Sequence, residues 1–182
     1  MTLFDVAAVV LVLGYALLGL ASGLIRRVLG LIGVYVGAVV ATHAGISGAA
    51  ILRQEFPALS VADSRAYTWF FVFLLLVAVI ELMAGLVHHE IQISVVALNR
   101  ASGVLVGVVT GLVIVTTWAY MLGGLSQASG PDFGSLEAQT RDALTGSKVG
   151  LPLARWAAPV VLPPLYAALP RDPSYYFVQP SG

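Results

Sequence analysis

Uncharged apolar stretches alternate with short charged interruptions along this chain. No side chain between Asp5 and Arg26 is charged, and the twenty residues between them suffice to cross the hydrocarbon core of a bilayer. Residues 28–52 again lack Lys, Arg, Asp and Glu, although His43 lies late in the run. A third stretch opens on Tyr67, Trp69, Phe70 and Phe71, an aromatic cluster of the kind found at membrane interfaces. A fourth ends on Trp118 and Tyr120 before Gly123 and Gly124. The pattern predicts an all-α integral membrane four-helix bundle over residues 1–125. Its spans fall at about 4–25, 28–46, 67–87 and 103–122. The tight connection at Arg26 and Arg27 predicts an antiparallel hairpin of the first two spans. A charge-balanced loop is expected over residues 47–65, and an interfacial turn or helix extension over 91–99.

Residues 126–182 have a different character. They hold eight of the nine prolines and four of the nine basic residues. Residues 135–144 read as a short polar helix. Residues 149–169 are apolar apart from Arg155, but Pro152, Pro159, Pro163 and Pro164 interrupt them. Proline costs about 3 kcal/mol in a helix interior. A fifth straight span is therefore not expected. The tail reads as interfacial or re-entrant segments, with Trp156 and Tyr166 at headgroup depth, followed by an extended end.

Small residues recur every four positions within the spans. Gly19 and Gly23 close the first, Gly33, Gly37, Ala41 and Gly45 line the second, and Gly103, Gly107 and Gly111 line the fourth. Residues four apart share a helix face, and small-residue faces let helix backbones approach closely in lipid.

Composition narrows the function classes. The chain is 59% hydrophobic and 10% charged, with a mean hydropathy of +0.94. About 25% charged residues is usual for a soluble domain. Net charge is zero, which argues against nucleic acid as a partner. The absence of cysteine removes thiolate chemistry and cysteine metal sites. Neither a nucleophile elbow nor a phosphate-binding loop is present. No enzyme activity and no cofactor is expected.

Three groups of ionisable residues carry candidate chemistry. Glu81 lies inside the third span, where an ionisable side chain is a functional hypothesis by default. It reads as a proton or ion carrier, or as an ion pair with His88, Arg26 or Arg100 that locks the bundle. His88, His89 and Glu90 are adjacent, so they point about 100° apart on a helix and do not converge on a metal. No metal site is expected. Arg26, Arg27 and Arg100 fall at one membrane face, either as an anionic headgroup site or as topology determinants. Counted against Arg53 and Arg65, they place loops one and three in the cytoplasm and both termini outside it.

The stretch from Gly19 through Gly23, Arg26 and Arg27 to Leu29 resembles the early glycine-and-arginine motif of the colicin V production (CvpA) family. Asp5 matches an acidic residue near that family's N-terminus. Asn99 and Arg100, followed by Gly103, Gly107 and Gly111, resemble its second motif. Thr110 departs from the pattern, because relatives often carry arginine there. Residues 147–170 resemble its apolar, proline-containing end. The resemblance implies a small bacterial inner-membrane protein linked to toxin export and envelope homeostasis. Together these readings predict a non-catalytic scaffold or accessory subunit. Its expected partners are membrane lipids and other integral membrane subunits, or a second copy of itself. The alternatives are a small transporter component using Glu81 and an anionic-lipid-binding envelope protein.

Overall fold

The computed structural model describes residues 1–88, 96–126, 135–169 and 177–180. These form five helices: α1 (Leu3–Glu55), α2 (Val61–His88), α3 (Val96–Ser126), α4 (Ser135–Thr145) and α5 (Gly150–Ala167). The fold is all-α, as the apolar pattern predicts. α1, α2 and α3 are each long and apolar enough to cross a membrane.

α1 begins at a capping box, with Thr2 and Asp5 each accepting from the other's backbone N–H. At 53 residues it would be about 80 Å long if straight. It is not straight. Gly23 leaves the helical region at φ 77° and ψ −178°, a conformation essentially restricted to glycine. The break divides α1 into a first arm (3–22) and a second arm (24–55). A hydrogen bond from the Leu24 N–H to Asn99 Oδ1, 2.8 Å, caps the start of the second arm.

Contacts of α5 show that the arms fold back on each other. The Phe4 ring lies against Gly150, while the Tyr35 hydroxyl donates to the Val161 carbonyl at 3.3 Å. A straight helix separates positions 4 and 35 by about 46 Å, whereas positions 150 and 161 are about 16 Å apart. Only a reversal at Gly23 lets both contacts form. The turn thus falls four residues before Arg27, not across the Arg26–Arg27 pair. Glycine can adopt the required φ, and the arginines cannot do so without strain.

The other long helices pack antiparallel to the arms. Gly103 meets Gly19 and Gly23, Gly107 meets Tyr15, and Gly111 meets Val12, all backbone against backbone. On the second arm, Gly30 faces Glu81, Gly33 faces Ile80, Gly37 faces Val77 and Gly45 faces Trp69. Ala41 is fully buried. A Cβ at position 107 would collide with the Tyr15 carbonyl, and backbone cannot move aside as a side chain can. Gly107→Leu is therefore expected to separate α3 from the first arm, at a cost above the roughly 1–3 kcal/mol of ordinary overpacking. A thermal-unfolding comparison in detergent checks this, and an unchanged midpoint would contradict the packing.

Two expectations need revising. The region 47–65 is largely helical, because α1 continues through Glu55 and α2 starts at Val61. Its Gly, Ala, Ile and Leu residues permit this, and the chain leaves the helix at Phe56, just before Pro57, as the pre-proline restriction favours. α5 also runs through Pro159, Pro163 and Pro164 without ending. All three prolines face outward, so the carbonyls left without a donor lie on the side away from the core. Pro152 falls in the first turn, where the missing N–H has no intrahelical partner to lose.

The interior holds Val34, Ala38, Trp69, Phe73, Val113 and Ala119. Trp69 stacks on Phe73 with ring centroids 4.8 Å apart, and its indole donates to Thr42 Oγ1 at 3.1 Å. The outer faces are apolar as well: Val10, Leu13 and Leu17 on the first arm and Phe71, Leu75 and Leu82 on α2 are exposed.

Candidate functional site

Two buried polar clusters stand out, one at each end of the hairpin. The first lies beside the Gly23 turn. Arg27 is 1% exposed and Glu81 is 20% exposed. The two guanidinium nitrogens Nη1 and Nη2 donate to Glu81 Oε1 and Oε2 at 3.1 and 2.8 Å. Nε donates to Ser22 Oγ at 3.0 Å, and the Ser22 hydroxyl donates to the Leu18 carbonyl. The guanidinium also sits 5.7 Å from the centre of the Tyr15 ring, within cation–π range. Arginine stays charged in any protein environment, so burying it demands a paired anion. Glu81 supplies it in the planar, bidentate geometry that guanidinium favours.

Neighbouring arginines behave differently. Arg26 lies close to Gly85 on α2, and its Nε is buried with no hydrogen-bond partner among the described residues. Arg100 is exposed. The three arginines therefore do not form one set, because Arg27 is engaged within the bundle. The sequence carries a signal for this choice. Arg27 lies four residues after Gly23 and three before Gly30, on the inward stripe that Arg26 misses. His88 closes α2. Its side chain, together with His89 and Glu90, lies outside the described residues.

The second cluster centres on Asp5, about 27 Å from Gly23 along the first arm. Its carboxylate is 0% exposed. Oδ1 accepts from the Ser147 hydroxyl and from the backbone N–H groups of Val149 and Gly150. Oδ2 accepts from the Thr2 and Lys148 N–H groups. α5 has no side-chain cap of its own at Val149. Asp5 therefore caps it from another helix, placing negative charge at the positive end of the helix dipole. Composition and spacing did not reveal this role, because Asp5 and Ser147 are 142 positions apart. The Leu24–Asn99 bond was equally hidden.

A buried ion pair, a buried carboxylate held by hydrogen bonds, close glycine contacts and lipid-like outer faces define a membrane protein whose helices are fastened from within. The colicin V production protein family model matches residues 4–168, nearly the whole chain, and the chain belongs to that family. No curated protein and no solved structure matches it.

Proposed function

We propose that this protein is a non-catalytic scaffold or accessory subunit of a larger complex in the bacterial inner membrane. The observation that supports this reading is that the buried charges are spent on helix-to-helix bonds. Glu81 neutralises Arg27, and Asp5 holds α5. Neither carboxylate is poised for transfer of a proton or ion. The glycine stripes are used within the chain, so a partner would meet the outer apolar face of α2 instead. That face presents Phe71, Leu75, Leu82 and Met83.

In this reading the chain crosses the bilayer four times. The Gly23 reversal turns the single long α1 into two spans, and each arm is long enough for a crossing. The Arg26 end faces the cytoplasm and both termini lie outside it.

Purification of the tagged protein in gentle detergent, followed by mass spectrometry, tests the role. A fixed set of larger membrane subunits at constant stoichiometry is expected. A lone monomer or a homo-oligomer would overturn the accessory role. The absence of native cysteine makes single-cysteine topology mapping clean. In intact cells an impermeant thiol reagent should label Pro57→Cys and leave Ala101→Cys unlabelled.

A further inference from the structure

Residues 177–180 lie outside any helix and dock between the last turns of α3 and one side of α5. Phe177 and Pro180 are buried, while Gln179 between them is exposed. Gln179 precedes a proline, which restricts its backbone to extended conformations. The Val178 N–H donates to the Tyr120 carbonyl at 3.1 Å, and Arg155 Nη2 donates to the Pro180 carbonyl at 2.6 Å. The Phe177 ring lies near that of Tyr166, with centroids 6.4 Å apart. A Cβ at Gly123 would collide with the Val178 carbonyl, so glycine leaves room there for a second backbone.

These contacts are those by which a groove recognises an extended peptide. Two of them read main-chain groups, and two buried side chains three positions apart set the register. None of them requires the segment to be joined to this chain. The groove is also larger than its occupant. A cavity of about 610 Å³ lies beside the segment, walled by Tyr120, Pro159, Pro163 and Tyr166 as well as by the segment itself. On that wall Pro163 has no N–H to offer the Pro159 carbonyl. An acceptor suited to a main-chain donor therefore stands next to the segment, whose own Pro180 has no N–H to give.

We propose that the α3–α5 groove receives an extended, uncharged segment of a partner protein, with an aromatic residue three positions before a proline. Residues 177–180 occupy it as an intramolecular stand-in that the partner displaces. The groove depends on no particular complex. Peptide binding by the purified chain can succeed or fail whatever subunits are found with it.

A fluorescent peptide of residues 175–182, added to the full chain in detergent and followed by anisotropy, tests the proposal. In wild type the tethered segment competes at an effective concentration on the order of millimolar, so weak binding is expected. Phe177→Ser removes the aromatic anchor of the stand-in and leaves the groove, so the peptide should bind at least tenfold more tightly. Serine at the matching position of the peptide should abolish that gain. Gly123→Val added to Phe177→Ser blocks the groove and should abolish it too. Circular dichroism and gel filtration identify folded variants. If Phe177→Ser does not fold, Val178→Pro, which removes the N–H that meets Tyr120, takes its place. If neither folds, the segment is part of the fold and not a stand-in, which overturns the proposal. A folded variant that binds the peptide no better than wild type, or binds the serine peptide equally well, also overturns it. A wild-type dimer that Phe177→Ser converts to monomer would make the occupant a second copy, and the partner would be excluded.

Discussion

Replacing Glu81 with leucine leaves the Arg27 guanidinium buried without its anion, and a destabilisation of about 3–5 kcal/mol is expected. Arg27→Leu should cost less, because Arg27 is 1% exposed and Glu81 20%, so the guanidinium is the costlier of the two to leave unpaired. The double substitution Arg27→Leu with Glu81→Leu should recover most of the loss, since two apolar side chains of suitable size often replace a buried pair at little cost. Unfolding of all four proteins in the same detergent mixture measures this cycle. The expected result is a strong positive coupling between positions 27 and 81. Additive losses would mean that the pair, despite its two short bonds, does not fasten α2 to the second arm. The cycle also bears on function. A carboxylate used for transport would tolerate no leucine in a flux assay, while one used for fastening is dispensable once Arg27 is removed with it.

Asp5→Asn should have an effect of similar size at the opposite end. The carboxylate takes five donors on two oxygens. Asparagine keeps one oxygen and replaces the other with a donor. At least two N–H groups then lose their acceptor, those of Thr2 and Lys148 where the amide oxygen takes the place of Oδ1 and those of Val149 and Gly150 where it takes the place of Oδ2, at about 1–3 kcal/mol each where they are buried. Charge at the helix N-terminus is lost as well. α5 is expected to detach while the arms, α2 and α3 stay packed. Lys148 is exposed beside this joint, so limited trypsin digestion is a direct readout. Cleavage after Lys148 should accelerate at least tenfold in Asp5→Asn. Ser147→Ala removes one donor to the carboxylate and the acceptor of the Leu151 N–H but leaves Asp5 in place, and should change it less. An unchanged cleavage rate in Asp5→Asn would show that α5 is held without this joint, through the Tyr35 hydrogen bond and its apolar face of Leu151, Ala154 and Leu165.

Both predictions concern residues whose partners are distant in the chain. Glu81 is legible in the sequence as an ionisable group inside an apolar stretch. Its partner is harder to read, because Arg26 and Arg27 are equally near and differ only in the face they occupy. The small-residue stripe through Gly23 and Gly30 resolves that choice only once helix register is followed through the turn. Asp5 looks like an ordinary first-turn acid, and its capping box with Thr2 gives it a sufficient local role. Its engagement with Ser147 and the N-terminus of α5 has no local signature.

Local periodicity and composition determined the helical class, the apolar stretches and the glycine faces, because burial in lipid acts on every residue of a span and leaves a repeating mark. Tertiary structure alone decided where α1 reverses, which arginine is buried, how α5 continues through three prolines and what Asp5 binds. Those outcomes depend on contacts between positions 54, 75 and 142 residues apart. At such separations a charge or an unpaired N–H finds its partner by packing geometry, which no local pattern records.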